Sequence, residues 1–202
     1  MRPALRTMIL LDPELEPDRR PSTAPGAITA ESRKTSPGER LPSARALNGF
    51  LRTSQEAVRL KGLVTVLLTT DAAIRRLNRR FRGKNKPTDV LSFPAVDVSR
   101  GEVAGDLAIS VETARRQSIE QGHSLATEIK VLILHGLLHL TGFDHETDAG
   151  AMERRERALR TRLALPLGLI ERSSTSASSH SGVGRAKSGP NRKKTPARGQ
   201  RA

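Results

Sequence analysis

The sequence predicts an α+β fold: a single domain in which a small mixed β-sheet is packed by helices, one of which carries an HxxxH pair. Two observations lead there. Four short β-prone apolar runs are interspersed with longer stretches of helical period. Their order reads β-α-β-α-β-β-α-α-α, with two strands in succession and three helices at the end. At 202 residues the chain is long enough for one core of ordinary domain size, with tails to spare.

The first strand is expected at residues 6–11. Residues 13–42 then hold six prolines among few apolar side chains, which predicts a disordered insertion or loop. Helical periodicity begins near Ser43, puts Leu47, Phe50, Leu51 and Val58 on one face, and stops at Gly62. Residues 63–69 (LVTVLLT) are nearly all apolar and β-prone, hence a buried strand. Asp71 is placed to cap a helix that turns Ile74, Leu77 and Phe81 inward. Two further strands are expected at 90–96 and 103–109. Pro94 has no N–H to give to a ladder, so the first of these should lie at an edge or end early. Ser110 can cap a helix running to about Gln121. Ser124 can cap the next, which contains His135 and His139 and ends at Gly142. A last helix over 147–165 turns Met152, Leu159 and Leu163 inward before Pro166 ends it. The strand region 1–12 thus joins residues 43–171 in one domain, and 172–202 is expected to be a disordered basic tail.

Charge is the strongest global signal. Lys plus Arg number 35 against 21 Asp plus Glu, a net +14; the tail from Arg172 holds eight of the cations and no acid, which leaves the body at +6. A body basic on its own favours polyanionic partners, nucleic acid before membrane surface. Four phenylalanines with no Trp or Tyr cannot build a base-stacking RNA module, so contact with nucleic acid should be directed mainly at phosphates. Cysteine is absent, which excludes a disulfide framework and a thiolate metal site. The N-terminal residues show no secretory pattern, and the most apolar run, 131–140, is too short to span a bilayer. A soluble cytoplasmic protein is expected.

Residues 135–145 read HGLLHLTGFDH and hold three of the five histidines. Residues four apart on a helix are offset by about 40° and about 6 Å, so His135 and His139 share a face. Gly142 breaks the helix, and three residues on His145 can swing back to the same point. Three imidazoles about 2 Å from one zinc ion, with a fourth position open to water, is the catalytic rather than the structural arrangement. Packed core histidines are the plain alternative, and the spacing argues against them. The stretch matches the histidines and glycine of the metzincin proteases but has Gly136 where those enzymes keep a glutamate base. A glycine inside a helix costs about 1 kcal/mol against alanine, so another element or the substrate should approach there. Asp144 and Glu146 flank His145. Each is open to two readings: a group that orients an imidazole or accepts a proton, or a plain turn aspartate and helix-start glutamate.

Upstream, residues 81–94 (FRGKNKPTDVLSFP) alternate Arg82, Lys84 and Lys86 in a glycine-containing loop before a strand. Such a loop is either a solvated surface segment or a set of cations for adjacent phosphates. The two segments together closely resemble the YbeY endoribonucleases, in both the HGLLHLTGFDH and the RGKNKPTDVLSFP stretch. Asn78 in RRLNRRFRG and residues 105–110 (GDLAIS) also fall where that family has similar sequence. The likeness spans about 63–165; Phe143 stands where tyrosine is common, and the insertion and tail exceed the family's usual length. The resemblance implies a single-strand-directed, metal-dependent RNase acting in maturation of small-subunit (16S) ribosomal RNA and in ribosome quality control. It implies one zinc per chain on His135, His139 and His145, and Arg82 at the catalytic arginine; Lys84 and Lys86, from the alternation of the basic loop itself, are expected to bind substrate. Ribosomal RNA, the small ribosomal subunit and its assembly factors are the implied partners. Two other readings compete: a zinc peptidase or other metallohydrolase, against which Gly136 and the basic body count, and a non-catalytic assembly factor with structural zinc.

Overall fold

The computed structural model describes residues 7–15, 40–96, 102–145 and 147–167, and the elements follow in the predicted order. Strand β1 is Thr7–Leu11, followed by a 3-10 turn at Pro13–Leu15. Helix α1 spans Ala44–Val58, β2 Leu63–Thr69, α2 Asp71–Arg82, β3 Val90–Pro94 and β4 Val103–Ser110. Three helices close the domain: α3 Val111–Glu120, α4 Leu125–Leu140 and α5 Ala151–Arg162. The sheet is mixed, in the order β1-β2-β4-β3, with β1, β2 and β4 parallel and β3 antiparallel to β4. Strand β3 is therefore an edge, and it stops at Pro94 rather than at 96, as a residue without an N–H requires.

Register shows how the sheet carries α4. Ile9, Val66, Leu107 and Ser92 are paired across the four strands and form one row on one face. A Cβ on Gly136 of α4 would lie 2.8 Å from Leu107 Cδ2 and 3.3 Å from Ser92 Oγ, so α4 is seated on that row. The main core fills this side: Val64, Val66, Leu68, Leu107 and Ile109 from the sheet, Leu47 and Leu51 from α1, Ile129, Leu132 and Leu137 from α4, and Met152 and Leu159 from α5. Leu91 and Ala108, paired and on the opposite face, are buried with Ala73 and Ile74 of α2 outside that cluster. Helix α2 thus covers the other face of β3 and β4.

Several local expectations are corrected. Thr70, not Asp71, caps α2, its side chain accepting from the Ala73 N–H. Asp71, one residue inside the helix, instead binds the hydroxyls of Ser110 and Thr113 and the Arg116 guanidinium, tying α2 to α3. Phe81, expected inward, is 57% exposed; it lies past the last buried residue of α2, Asn78, and sets its ring edge-on to Phe93 with centroids 5.1 Å apart. Helix α1 ends earlier than Gly62, at the left-handed Arg59. Helix α5 is shorter than 147–165. Ala149 and Gly150 have positive φ and cannot be helical, Asp148 receives the Met152 N–H at 2.9 Å, and Ala164 at φ 53° stops the far end. Of the insertion 13–42, only 13–15 and 40–42 are among the described residues, and the tail 172–202 lies outside them. No helix among the described residues is long and apolar enough to cross a membrane.

Candidate metal centre

The centre begins with helix α4. Ser124 caps it by accepting from the Thr127 N–H at 3.1 Å, and an apolar run then fixes its rotation against the sheet. Gly136 faces Leu107 and Ser92, where any side chain would collide with the buried leucine. The glycine thus answers to the sheet, which approaches where the sequence leaves room. With that face pinned, His135 and His139 lie about 100° and about 60° round the helix from Gly136, to the same side of it, and both stay half-buried. The chain then reverses: Gly142 takes φ 90°, its N–H bonds the His139 carbonyl at 3.0 Å, and the Phe143 N–H bonds the Leu138 carbonyl at 3.2 Å. This turn returns His145 to the pair, with ring centroids 5.7 Å from His135 and 5.4 Å from His139. One ligand atom from each of the three histidines falls within 4.8 Å of the others.

The outer nitrogens decide which inner ones are free. His139 Nδ1 lies 3.0 Å from the Phe143 carbonyl, which can only accept, so Nδ1 carries the proton and Nε2 keeps its lone pair. His135 Nδ1 lies 3.0 Å from a Glu156 carboxylate oxygen, which fixes the same tautomer. The two Nε2 atoms then face each other at 3.2 Å. Tetrahedral zinc with bonds of about 2.05 Å would set its ligands about 3.3 Å apart, so the pair has the right separation for such an ion. Burial holds His139 below its ordinary value of 6.5, helped by the charges of His135 and His145 and opposed by the Phe143 carbonyl and Asp144. A neutral imidazole near neutral pH is the form that ligates metal. The residues fit a metal ion, and the exposed His145 puts the site at the surface, where a substrate can reach it.

Glu156 is the part of the site that sequence reasoning missed. It sits on α5, 2% exposed, and besides His135 it accepts from Arg160 Nε at 2.7 Å; Arg160 is 1% exposed. Burial alone would raise its carboxyl, but His135 and Arg160 outweigh that and hold it below 4.5. A signal existed: Glu156 and Arg160 lie on the same helical stripe as Met152, Leu159 and Leu163. Asp144 serves the turn, its carbonyl taking the Thr147 and Asp148 N–H groups and its carboxylate the Thr147 hydroxyl. Glu146 lies outside the described residues.

The basic loop is built separately and braced to the same strand. Gly83 ends α2 at φ 69°, donating to the carbonyls of Arg79 and Asn78, a left-handed turn that favours glycine. Asn78, 2% exposed, donates its Nδ2 to the Lys86 carbonyl at 2.8 Å, and Arg75 donates to Asn85 at 2.9 Å. These bonds fold the loop back on α2 and leave Arg82, Lys84 and Lys86 exposed. None of the three side chains makes a hydrogen bond or ion pair with a described residue, so no direct bond joins the loop to the histidines. The link is through β3: Phe93 meets Phe81 of α2, and the Ser92 hydroxyl donates to the Gly136 carbonyl of α4 at 3.3 Å.

Comparison with known proteins gives the site a setting. A family model described as "Endoribonuclease YbeY" matches residues 34–164. A protein of that name from Koribacter versatilis is 52% identical over 130 residues, 64% of this chain and 84% of the relative. One from Solibacter usitatus is 50% identical over 127 residues, 63% and 84% of the two chains, and one from Nautilia profundicola is 48% identical over 109 residues, 54% and 78%.

Proposed function

The chain belongs to the YbeY endoribonuclease family, and from that premise we propose that it is a zinc-dependent endoribonuclease directed at single-stranded RNA. Its place would be the cytoplasm, in maturation of small-subunit (16S) ribosomal RNA and in ribosome quality control, with the small subunit and its assembly factors as partners. The observation that carries the reading is the pair of Nε2 atoms of His135 and His139, freed by their outer hydrogen bonds and facing each other at 3.2 Å beside His145.

One zinc per chain, held by the three histidines, would supply a Lewis acid for a phosphoryl oxygen and an acidified water. The protein's own part begins with Glu156 and the Phe143 carbonyl, which hold the imidazoles in the ligating tautomer. Arg82 presents a guanidinium to the charge that develops on the phosphoryl group, and Lys84 and Lys86 hold neighbouring phosphates. A peptidase reading is disfavoured because position 136 offers no base and faces Leu107 and Ser92 rather than open space. A purely structural zinc would call for a fourth protein ligand, and the cluster among the described residues has three.

The test uses nuclease-free protein on a single-stranded RNA, a duplex of the same sequence, and casein, with and without chelator. Cleavage should be confined to the single strand, vanish on chelation and return with zinc. Cleavage that survives chelation, or none by zinc-loaded protein, would sink the reading.

A further inference from the structure

Helix α2 carries five arginines in twelve residues, Arg75, Arg76, Arg79, Arg80 and Arg82, against one acid, Asp71. Asp71 is already engaged by Ser110, Thr113 and Arg116 and does not neutralise them. Ala73, Ile74 and Asn78 form the buried face of the helix. Ala72, Arg75, Arg76 and Arg79 recur at the three- and four-residue spacing of a single stripe, and with Asn85 from the loop they line an open hollow of about 310 Å3.

The hollow differs from an ordinary solvated helix face in three respects. Arg75 is held in place by its bond to Asn85. Arg79 has no side-chain hydrogen bond or ion pair with a described residue, and Arg76 makes one loose ion pair among them, with Glu14 at 3.8 Å and both largely exposed, and feels the nearby charge of Asp12. The small side chain of Ala72 leaves the space between the guanidiniums open. The helix dipole favours cations in the last turn, which accounts for Arg79, Arg80 and Arg82 but not for Arg75 and Arg76. The stripe also continues toward the loop: Arg82 follows Arg79 by three residues on one face, and Arg75 to Arg82 advances about 10 Å along the helix.

We propose that this hollow is a docking surface for the phosphates of an RNA strand flanking the cleavage site, with Arg75, Arg76 and Arg79 gripping the backbone of a strand whose reacting phosphate lies beyond Arg82. The inference rests on the endoribonuclease reading. RNA is favoured over an acidic protein because a protein interface needs an apolar or aromatic centre, and the hollow offers only Ala72 among three guanidiniums and an amide. Planar guanidinium forks match phosphate oxygens and read no base, so the grip is independent of sequence.

The full-length chain is compared with Arg75→Gln/Arg76→Gln/Arg79→Gln and with Arg79→Gln alone, whose side chain holds no internal bond to lose. Melting temperature and zinc content report fold and site. On a single-stranded RNA long enough to reach both hollow and metal, the triple variant should bind about tenfold more weakly and show a KM raised to match. Its dependence of log affinity on log salt should flatten by about 2, and that of the single variant by about 0.7. Should the triple variant fail to fold, the single variant decides alone. Unchanged affinity and slope in the folded variants overturn the proposal, as does a loss confined to an acidic peptide or to anionic vesicles. A wild type that binds RNA without cutting it refutes the endoribonuclease reading, while the slopes still decide this one.

Discussion

Glu156→Gln separates two tasks that one buried carboxylate performs, holding a metal-ligand tautomer and neutralising a buried arginine. Glu156 meets His135 Nδ1 at 3.0 Å and Arg160 Nε at 2.7 Å, and neither Glu156 nor Arg160 is more than 2% exposed. Removing one partner of a buried ion pair costs about 3–5 kcal/mol, because the other charge is left uncompensated. Glutamine keeps one carbonyl oxygen, which the Arg160 cation draws, so the bond to Arg160 survives and the one to His135 is lost, a bond to a charged group being worth about 1.5–3 kcal/mol. The expected loss is therefore about 2 kcal/mol in the zinc-free protein. Zinc affinity should fall separately, by about 10–100-fold, since His135 loses the group that orients it. Urea unfolding of zinc-free protein reads the first effect, and competition with a chromophoric chelator reads the second. Glu156→Leu/Arg160→Met removes both charges, so zinc-free stability should return to near the wild-type value, whereas zinc affinity should stay low. Recovery of both properties in the double variant, or wild-type zinc affinity in Glu156→Gln, would show that Glu156 does not orient His135.

His139→Ala should lose most of the bound zinc and the rise in melting temperature that zinc gives the wild type; full occupancy would remove His139 from the ligand set. Gly136→Ala gains about 1 kcal/mol of helix propensity but drives a Cβ to 2.8 Å from Leu107 Cδ2, an overpacking that costs about 1–3 kcal/mol, so chemical unfolding should show net destabilisation. A more stable Gly136→Ala would mean that the sheet does not set this position. Asp71 is acted on first by burial, which raises its carboxyl, but bonds from Ser110, Thr113 and Arg116 and the charge of Arg116 hold it below 3.8. Its contribution is therefore present above 3.8 and lost as pH falls through the lower folded value. The stability gap between wild type and Asp71→Asn should be constant near neutrality and close in acid; a gap independent of pH counts against this assignment. Arg82→Ala should keep zinc, fold and most of its RNA affinity but lose most of the cleavage rate, and equal turnover with the wild type would end its catalytic role.

Order, and two of the three caps the sequence predicted, were legible because both are local; at α2 the cap fell one residue earlier, on Thr70. Ser110 and Ser124 accept from the N–H three residues on, a bond that needs only the local backbone, and the histidine cluster lies within eleven consecutive residues. What sequence hid depends on contacts between elements. Gly136 read as a place of close approach, but only the register of β3 and β4 shows that the sheet takes it. Glu156 lies 21 residues from the histidine it orients, and no periodicity joins α5 to α4. Yet its position on the stripe of Met152 and Leu159 carried part of the answer. A charge that a helix turns inward must find a partner there, since leaving it bare costs more than the fold has to spare. Asn78 obeys the same logic on α2. It sits on the buried side with Ala73 and Ile74, and the bond that offsets its burial is the one that clasps the loop of Lys84 and Lys86. In both helices the polar residue on the apolar stripe is the one that holds a part of the proposed site. Burial made each necessary partner close and dry, and a close, dry contact is what keeps an imidazole or a loop in one orientation.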